Sequence, residues 1–186
     1  KNMKKLIGIC CALMLFCGCS LGEDMTNTPT KKTEEFLSKY QTLDGDVLDS
    51  LDNVIDEDVN FNTTQRDQYR ELMKKHYQNL TYEIKDEKID GNKATVTAEI
   101  EVTDYTNILE EADKVLKETP EKFQDESKNF DESKFMDYRL EKLKDASDTV
   151  TYTVNFHLTK KDGTWEMDPL SDEQEQKIHG MYRNER

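Results

Sequence analysis

The apolar positions in the first half of the chain recur at the spacing of amphipathic helices. Three such stripes follow one another, and the first two are separated at Asp44 and Gly45. Three helices are therefore predicted. The stripes are Phe36, Leu37, Tyr40 and Leu43; then Val47, Leu48, Leu51, Val54 and Ile55; then Tyr69, Leu72, Met73, His76, Tyr77 and Leu80.

The connection between the second and third stripes, residues 56–62, is polar. Within it, Val59 and Phe61 suggest a very short strand. Thr64 and Asp67 have the spacing of a capping box, so the third helix is expected to begin there.

From Tyr82 onward the apolar positions alternate with polar ones, which is the period of strands with one buried and one solvated face. The turn sequences DGN (90–92) and KDGT (161–164) divide the pattern into two hairpins. The alternating positions are Tyr82, Ile84, Ala94, Val96, Ala98, Ile100 and Val102, and later Val150, Tyr152, Val154, Phe156, Leu158, Trp165 and Met167.

Helical spacing returns between the hairpins, at residues 106–117 and 131–145, and Ser171 with Gln174 caps a short last helix that ends near Gly180. The predicted fold class is α+β. N-terminal helices pack on a curved antiparallel sheet of about four strands in two hairpins, with a helical insertion at 106–147 between them.

The first 18 residues have the pattern of an export signal. Lys4 and Lys5 precede an uncharged stretch from Leu6 to Gly18, and a polar segment follows Cys19. A helix that spans a bilayer needs ~20 apolar residues, more than this stretch supplies. Residues 1–18 are therefore predicted to be a signal peptide, residues 19–29 a flexible tether, and residues 30–186 a single domain.

The end of this signal resembles the lipobox of bacterial lipoproteins, in Phe16, Cys17, Gly18 and Cys19. Phe16 stands where that family usually has Leu. The resemblance implies cleavage between Gly18 and Cys19 and a diacylglycerol thioether on Cys19, which would anchor the protein to the outer face of a cell membrane. The alternative is a plain secretory signal with incidental cysteines. No cysteine follows Cys19, so the mature chain is expected to hold no disulfide and no cysteine metal site.

The charge of the chain is strongly acidic, with 26 basic and 40 acidic residues. The signal carries three of the lysines and no acid, so its removal would leave 23 basic residues and a net charge of −17. Such a surface repels nucleic acid, and no nucleic-acid partner is expected.

The order of helices followed by antiparallel strands resembles the nuclear transport factor 2-like fold over residues 30 to 170. It is similar in particular to small lipoproteins of Gram-positive bacteria that carry such a domain without an assigned function. The resemblance implies a cone between sheet and helix that is a filled core, a ligand pocket or an active site. The insertion departs from compact members and is expected to cap or cover the mouth of the cone.

Candidate chemistry is sparse. His76, His157 and His179 are the only histidines, and none has a nucleophile, a base or a metal-ligand set at a recognisable spacing. No catalytic residue, metal or cofactor is therefore predicted. Five aromatic residues on the predicted inward faces are either core residues or the lining of a pocket, namely Tyr69, Tyr77, Tyr82, Tyr152 and Trp165.

The sequence leads to one expected function and two alternatives. We expect a membrane-anchored extracytoplasmic lipoprotein whose non-catalytic domain binds a small molecule, a peptide or another envelope protein. The first alternative is a nuclear transport factor 2-like enzyme, of isomerase or hydrolase type, with its site inside the cone. It would need an inward acid or histidine with a shifted pKa. The second is a structural or immunity-type partner, which an exposed apolar patch on the insertion would favour.

Overall fold

The computed structural model describes residues 25–57 and 60–183. The predicted signal, the lipobox with Gly18 and Cys19, and the tether up to residue 24 lie outside these residues. The described elements are α1 (Pro29–Gln41), α2 (Gly45–Glu57), α3 (Thr63–Asn79), β1 (Thr81–Asp90), β2 (Lys93–Thr103), α4 (Thr106–Glu118), a short 3₁₀ helix (Pro120–Phe123), α5 (Glu132–Lys144), β3 (Thr149–Lys161), β4 (Thr164–Met167) and α6 (Asp172–Ile178).

The four strands form one antiparallel sheet in the order β1-β2-β3-β4, as the two predicted hairpins require. β2 pairs with β3 along its whole length, from Lys93 opposite Thr159 to Thr103 opposite Thr149. The predicted alternation is confirmed in β2, because its even-numbered side chains from Ala94 to Val102 are all buried. The α+β class and the helical insertion between the hairpins are also confirmed.

The start of α3 differs from the prediction. The Asn62 side chain accepts from the backbone N–H of Gln65 at 2.9 Å, and the Gln65 side chain accepts from the backbone N–H of Asn62 at 3.0 Å. This reciprocal pair is a capping box, so the predicted cap at Thr64 and Asp67 is wrong. Phe61 lies in no strand, and Val59 lies outside the described residues.

The domain has two main cores, and Tyr40 of α1 packs against both. The first fills the inner face of the sheet, where Leu37, Leu80 and Ile178 pack against β2 and β3. The second lies among α2, α3, α4 and α5. The insertion packs on α3 through α5 and carries a small core of its own, so it extends the helical layer rather than covering the sheet.

The end of α6 and the residues that follow it join the two cores, and we call residues 178–181 the junction. Ile178, the last residue of α6, is buried in the first core, and Met181 packs against the second. His76 of α3 donates from Nε2 to the carbonyl oxygen of Ile178 at 2.8 Å. The backbone N–H of Tyr105 donates to the carbonyl oxygen of Gly180 at 2.9 Å, which fixes the chain where α4 begins.

Gly180 is required at its position for two reasons. Its φ of +68° lies in the left-handed region, and a Cβ there would lie 2.0 Å from the carbonyl oxygen of Thr103. Gly163 has a similar φ of +83° but open space around its Cα. Substitution of each glycine by alanine therefore introduces backbone strain at both positions but a steric clash only at Gly180.

We predict that Gly180→Ala lowers the free energy of unfolding by about 3–5 kcal/mol, because strain of 1–2 kcal/mol adds to overpacking against a backbone atom. Gly163→Ala is the matched control and should cost only about 1–2 kcal/mol, from strain alone. Urea denaturation at pH 7.5 measures both values. Equal losses in the two variants would contradict the close packing of Gly180 on β2.

His76 makes the stability of this junction depend on pH. Its side chain is 1% exposed, and its Nδ1 atom is buried without a hydrogen-bond partner among the described residues. Burial disfavours the charged imidazolium and lowers the pKa of His76 to about 4 from the ordinary value of 6.5. The unfolded chain then binds more protons than the folded chain as the pH falls below 6.5.

We predict that the lowered pKa of His76 reduces the free energy of unfolding by about 2 kcal/mol between pH 7.5 and pH 5, since each pKa unit corresponds to about 1.4 kcal/mol. In His76→Gln the acid-induced loss should be smaller by that amount, whatever the substitution costs at pH 7.5. His157→Gln, at an exposed position on β3, is the control and should keep the full loss. The measurement is urea denaturation at both pH values, and identical losses in all three proteins would refute the assignment.

Candidate functional site

The five aromatic residues expected to line a pocket occupy different parts of the fold. Tyr69 and Tyr77 of α3 line one cavity together. Tyr152 lines a separate surface depression beside the start of α4. Tyr82 packs at the edge of the first core, and Trp165 is buried at the other end of the sheet. The inner face of the sheet is filled by its own side chains, so the cavities lie among the helices instead.

A cavity of about 180 Å³ lies between α2, α3 and the insertion, and we call it the insertion cavity. Its lining is mainly apolar and aromatic. Six of the side chains are Ile55, Tyr69, Leu109, Met136, Leu140 and Leu143. The cavity exists because α5 packs on α3 near its N-terminal end, where Gln65 donates to the side chain of Asp137 at 2.7 Å.

Arg139 of α5 is the charged member of this lining. Its guanidinium carbon lies 5.6 Å from the ring centroid of Phe135, one turn earlier on the helix. Its Nε atom is buried and has no hydrogen-bond partner among the described residues. Arg66 and Arg70 of α3, by contrast, pair with Asp56 at 3.1 Å and Asp52 at 2.6 Å.

A second cavity of about 410 Å³ adjoins the first, and we call it the interhelical cavity. It lies among α1, α2, α3 and the segment after α6, and it shares the lining residues Val54 and Tyr69 with the insertion cavity. At its inner wall the Tyr77 hydroxyl hydrogen-bonds Nε2 of His179 at 3.0 Å. An ion pair between Lys39 and Asp46, at 2.7 Å, lies on its rim.

Burial keeps three titratable side chains of the interhelical cavity uncharged, namely those of Tyr40, Tyr77 and His179. It lowers the pKa of His179 and raises the pKa of Tyr77. It also raises the pKa of Tyr40, whose ring packs edge-on against Tyr77, to about 12. The hydrogen-bonded pair is therefore a neutral phenol and a neutral imidazole at physiological pH. Such a pair can hold a polar group of a ligand but offers no charged nucleophile.

The other histidines do not line the insertion cavity or the interhelical cavity. His76 hydrogen-bonds the junction, and Nδ1 of His157 lies 3.3 Å from the Thr95 hydroxyl on the solvated face of the sheet. Within the described ranges, His, Cys, Asp and Glu side chains form no cluster of three or more suited to a metal ion. None of the helices in residues 25–57 and 60–183 is both long and apolar enough to cross a membrane.

Comparison with known proteins adds no identification. No protein-family model, no curated protein and no solved structure matches the chain. The site must therefore be interpreted from its own geometry.

Sequence reasoning missed Arg139 and gave His179 no role in a cavity. The signal for Arg139 was present in the sequence, because the residue lies between Met136 and Leu140 within the apolar stripe of α5. Nothing in the sequence pairs His179 with Tyr77, since their contact joins residues 102 positions apart.

Proposed function

We propose that this chain is a membrane-anchored extracytoplasmic lipoprotein whose domain binds a ligand without transforming it. The observation that carries the binding function is the insertion cavity, a mainly apolar space lined by four helices, with Arg139 as its charged lining residue. Apolar cavities with a few placed polar groups are the usual form of small-molecule sites. Its volume of about 180 Å³ suits a small molecule or one end group of a peptide.

We further propose that the domain is related to the nuclear transport factor 2-like fold. The support is the element order, in which three helices precede an antiparallel sheet and α1 and α3 pack on that sheet. Two features depart from this pattern: residues 60–62 form no strand, and the helical insertion separates β2 from β3.

The support for the anchor is the lipobox-like sequence at Cys19, and the fold adds a consequence. The side chain of Asn27 donates to the carbonyl oxygen of Gly163 at 2.8 Å and accepts from the backbone N–H of Trp165 at 3.0 Å. The chain therefore enters the domain beside the turn of the second hairpin. A lipid on Cys19 would lie at most ~28 Å of chain from this point.

An anchor on Cys19 would orient the domain through this entry point. Both hairpin turns lie at the same end of the sheet, and β2 runs eleven residues, ~35 Å, from Lys93 to its far end at Thr103. The insertion begins at that far end. An anchored domain would thus hold the hairpin turns near the membrane and present the insertion cavity away from it.

A second candidate function is an enzyme of isomerase or hydrolase type with its site in the interhelical cavity. The observation in its favour is His179, an inward histidine whose pKa is lowered by burial. We place it second because the partner of its Nε2 atom is the phenol of Tyr77. Turnover of model esters that disappears in His179→Ala would move the assignment to this cavity.

The exposed apolar residues give little support to a purely structural partner. The large ones in the described chain are Met25, Val54, Ile89 and Phe130, and of these only Phe130 belongs to the insertion. Single exposed apolar side chains are ordinary on protein surfaces.

Cys19→Ser tests the anchor, with Cys17→Ser as the matched control. In a bacterial host supplied with an alkyne fatty acid, the unsubstituted protein and Cys17→Ser should be labelled and sediment with membranes. Cys19→Ser should be unlabelled and either released or left at precursor size. A Cys19→Ser protein that stays in the membrane at mature size would overturn the anchor.

Filling the insertion cavity tests the binding function. An engineered cavity of about 150 Å³ binds benzene, so phenylacetamide, a neutral probe with one ring, should bind here. Met136→Trp should abolish the binding by occupying the space, whereas Glu141→Trp, exposed on the same helix, should leave it unchanged. Calorimetric titration of the purified protein measures the affinities, and unaltered binding to Met136→Trp would contradict the proposed site.

A further inference from the structure

Among the described residues Arg139 has no ion-pair partner, and its Nε atom is buried. The residues three and four positions from Arg139 on α5 are Phe135, Met136, Lys142 and Leu143. None of them is acidic, so no carboxylate on the helix has the spacing to pair with Arg139. The carboxylate of Asp137 accepts from Gln65 of α3 instead. Although the chain has 40 acidic residues, packing and not an ion pair holds the guanidinium of Arg139 in its position.

Arg139 is the group in the cavity lining that suits an anionic ligand. Its Nε atom is buried and has no acceptor among the described residues, and a buried N–H group without an acceptor costs ~1–3 kcal/mol, and more when the group is charged. A carboxylate in the cavity would give the guanidinium an anionic partner, and its two oxygens match the fork of a guanidinium.

The rest of the wall specifies the remainder of the ligand. The side chains of Met136, Leu140 and Leu143 on the same helix form an apolar surface beside Arg139. The space of about 180 Å³ is sufficient for one ring or a branched chain. A long acyl chain would not fit in this cavity alone.

The negative net charge of the chain implies that Arg139 attracts an anion only at short range. The predicted mature chain is strongly acidic, so its long-range field repels anions and does not steer them to the cavity. A half-buried guanidinium in a largely apolar wall acts at short range, through direct hydrogen bonds to a carboxylate.

We infer that the insertion cavity binds a small monocarboxylate with an apolar body of about one ring, and that Arg139 holds the carboxylate. This inference rests on the proposed binding function and adds the class of ligand. Arg139 is then the residue that determines specificity, because it distinguishes an acid from its neutral isostere.

The test compares phenylacetate with phenylacetamide, which have the same ring and differ in charge. At pH 7.5 and 150 mM salt, calorimetry should show the purified full-length protein binding phenylacetate at least 10-fold more tightly than the amide. Arg139→Met keeps the aliphatic stem and should reduce this preference to below 3-fold. Arg139→Lys keeps the charge without the fork and should give an intermediate preference.

Lys142→Met is the matched control, because Lys142 lies over the ring of Tyr138 on the same helix and outside the cavity lining. It removes the same charge and should retain the full preference for the acid. Retention of binding to the amide shows that Arg139→Met still folds and still has its cavity.

The outcomes separate the two proposals. Equal affinity for acid and amide, or a preference that persists in Arg139→Met, would overturn the inference and leave the binding function intact. Binding of neither probe at millimolar concentration would overturn both. A preference that is lost equally in Lys142→Met would assign the effect to general charge and would also overturn the role of Arg139.

Discussion

The hydrogen bond from His76 to the carbonyl oxygen of Ile178 connects the parts of this protein. It holds the junction, residues 178–181, against α3, and that segment contacts both cores. Through Gly180 the same segment fixes Tyr105 at the start of α4, and the position of α4 in turn sets one wall of the insertion cavity. This contact has a free-energy cost, because the imidazole of His76 is buried while its Nδ1 atom has no hydrogen-bond partner among the described residues. Neutral pH favours it, since the uncharged ring loses less on burial than the imidazolium.

The division into two cores explains where a ligand can bind. Where α1 packs on the sheet, the side chains of Leu37, Ile100 and Phe156 are fully buried in one core. The insertion adds a second layer of helices to α3 and leaves the insertion cavity between them, and the interhelical cavity lies beside it among α1, α2 and α3. The polar and charged side chains also divide into two groups, one on the surface and one turned inward. Exposed acids and lysines pair along the surface, whereas Arg139 and the pair of Tyr77 with His179 are placed inward. The function proposed for the domain depends on these inward polar groups.

Local features of the sequence were sufficient for most of the fold. The strands of the two hairpins, the helical insertion and the cap of α6 by Ser171 and Gln174 follow from periodicity and turn chemistry, which act between near neighbours. The start of α3 was misassigned because two capping sequences overlap there. Asn62 with Gln65 prevails over Thr64 with Asp67, since Gln65 is also held by Ser133 and Asp137 of α5. That contact joins distant parts of the chain, and no local pattern contains it.

The sequence by itself determined the element types, the inward faces of the strands and the acidic charge, and it predicts the export signal and Cys19 as a lipid site. All of these depend on residues close together in the chain. Only the tertiary structure decided which inward residues meet a cavity. Trp165 and Tyr77 are both inward aromatics, yet one is enclosed by the sheet core and the other faces a cavity. The physical reason is that a cavity is a property of how elements fail to fill the space between them, and α5 reaches α3 only when the whole chain has folded.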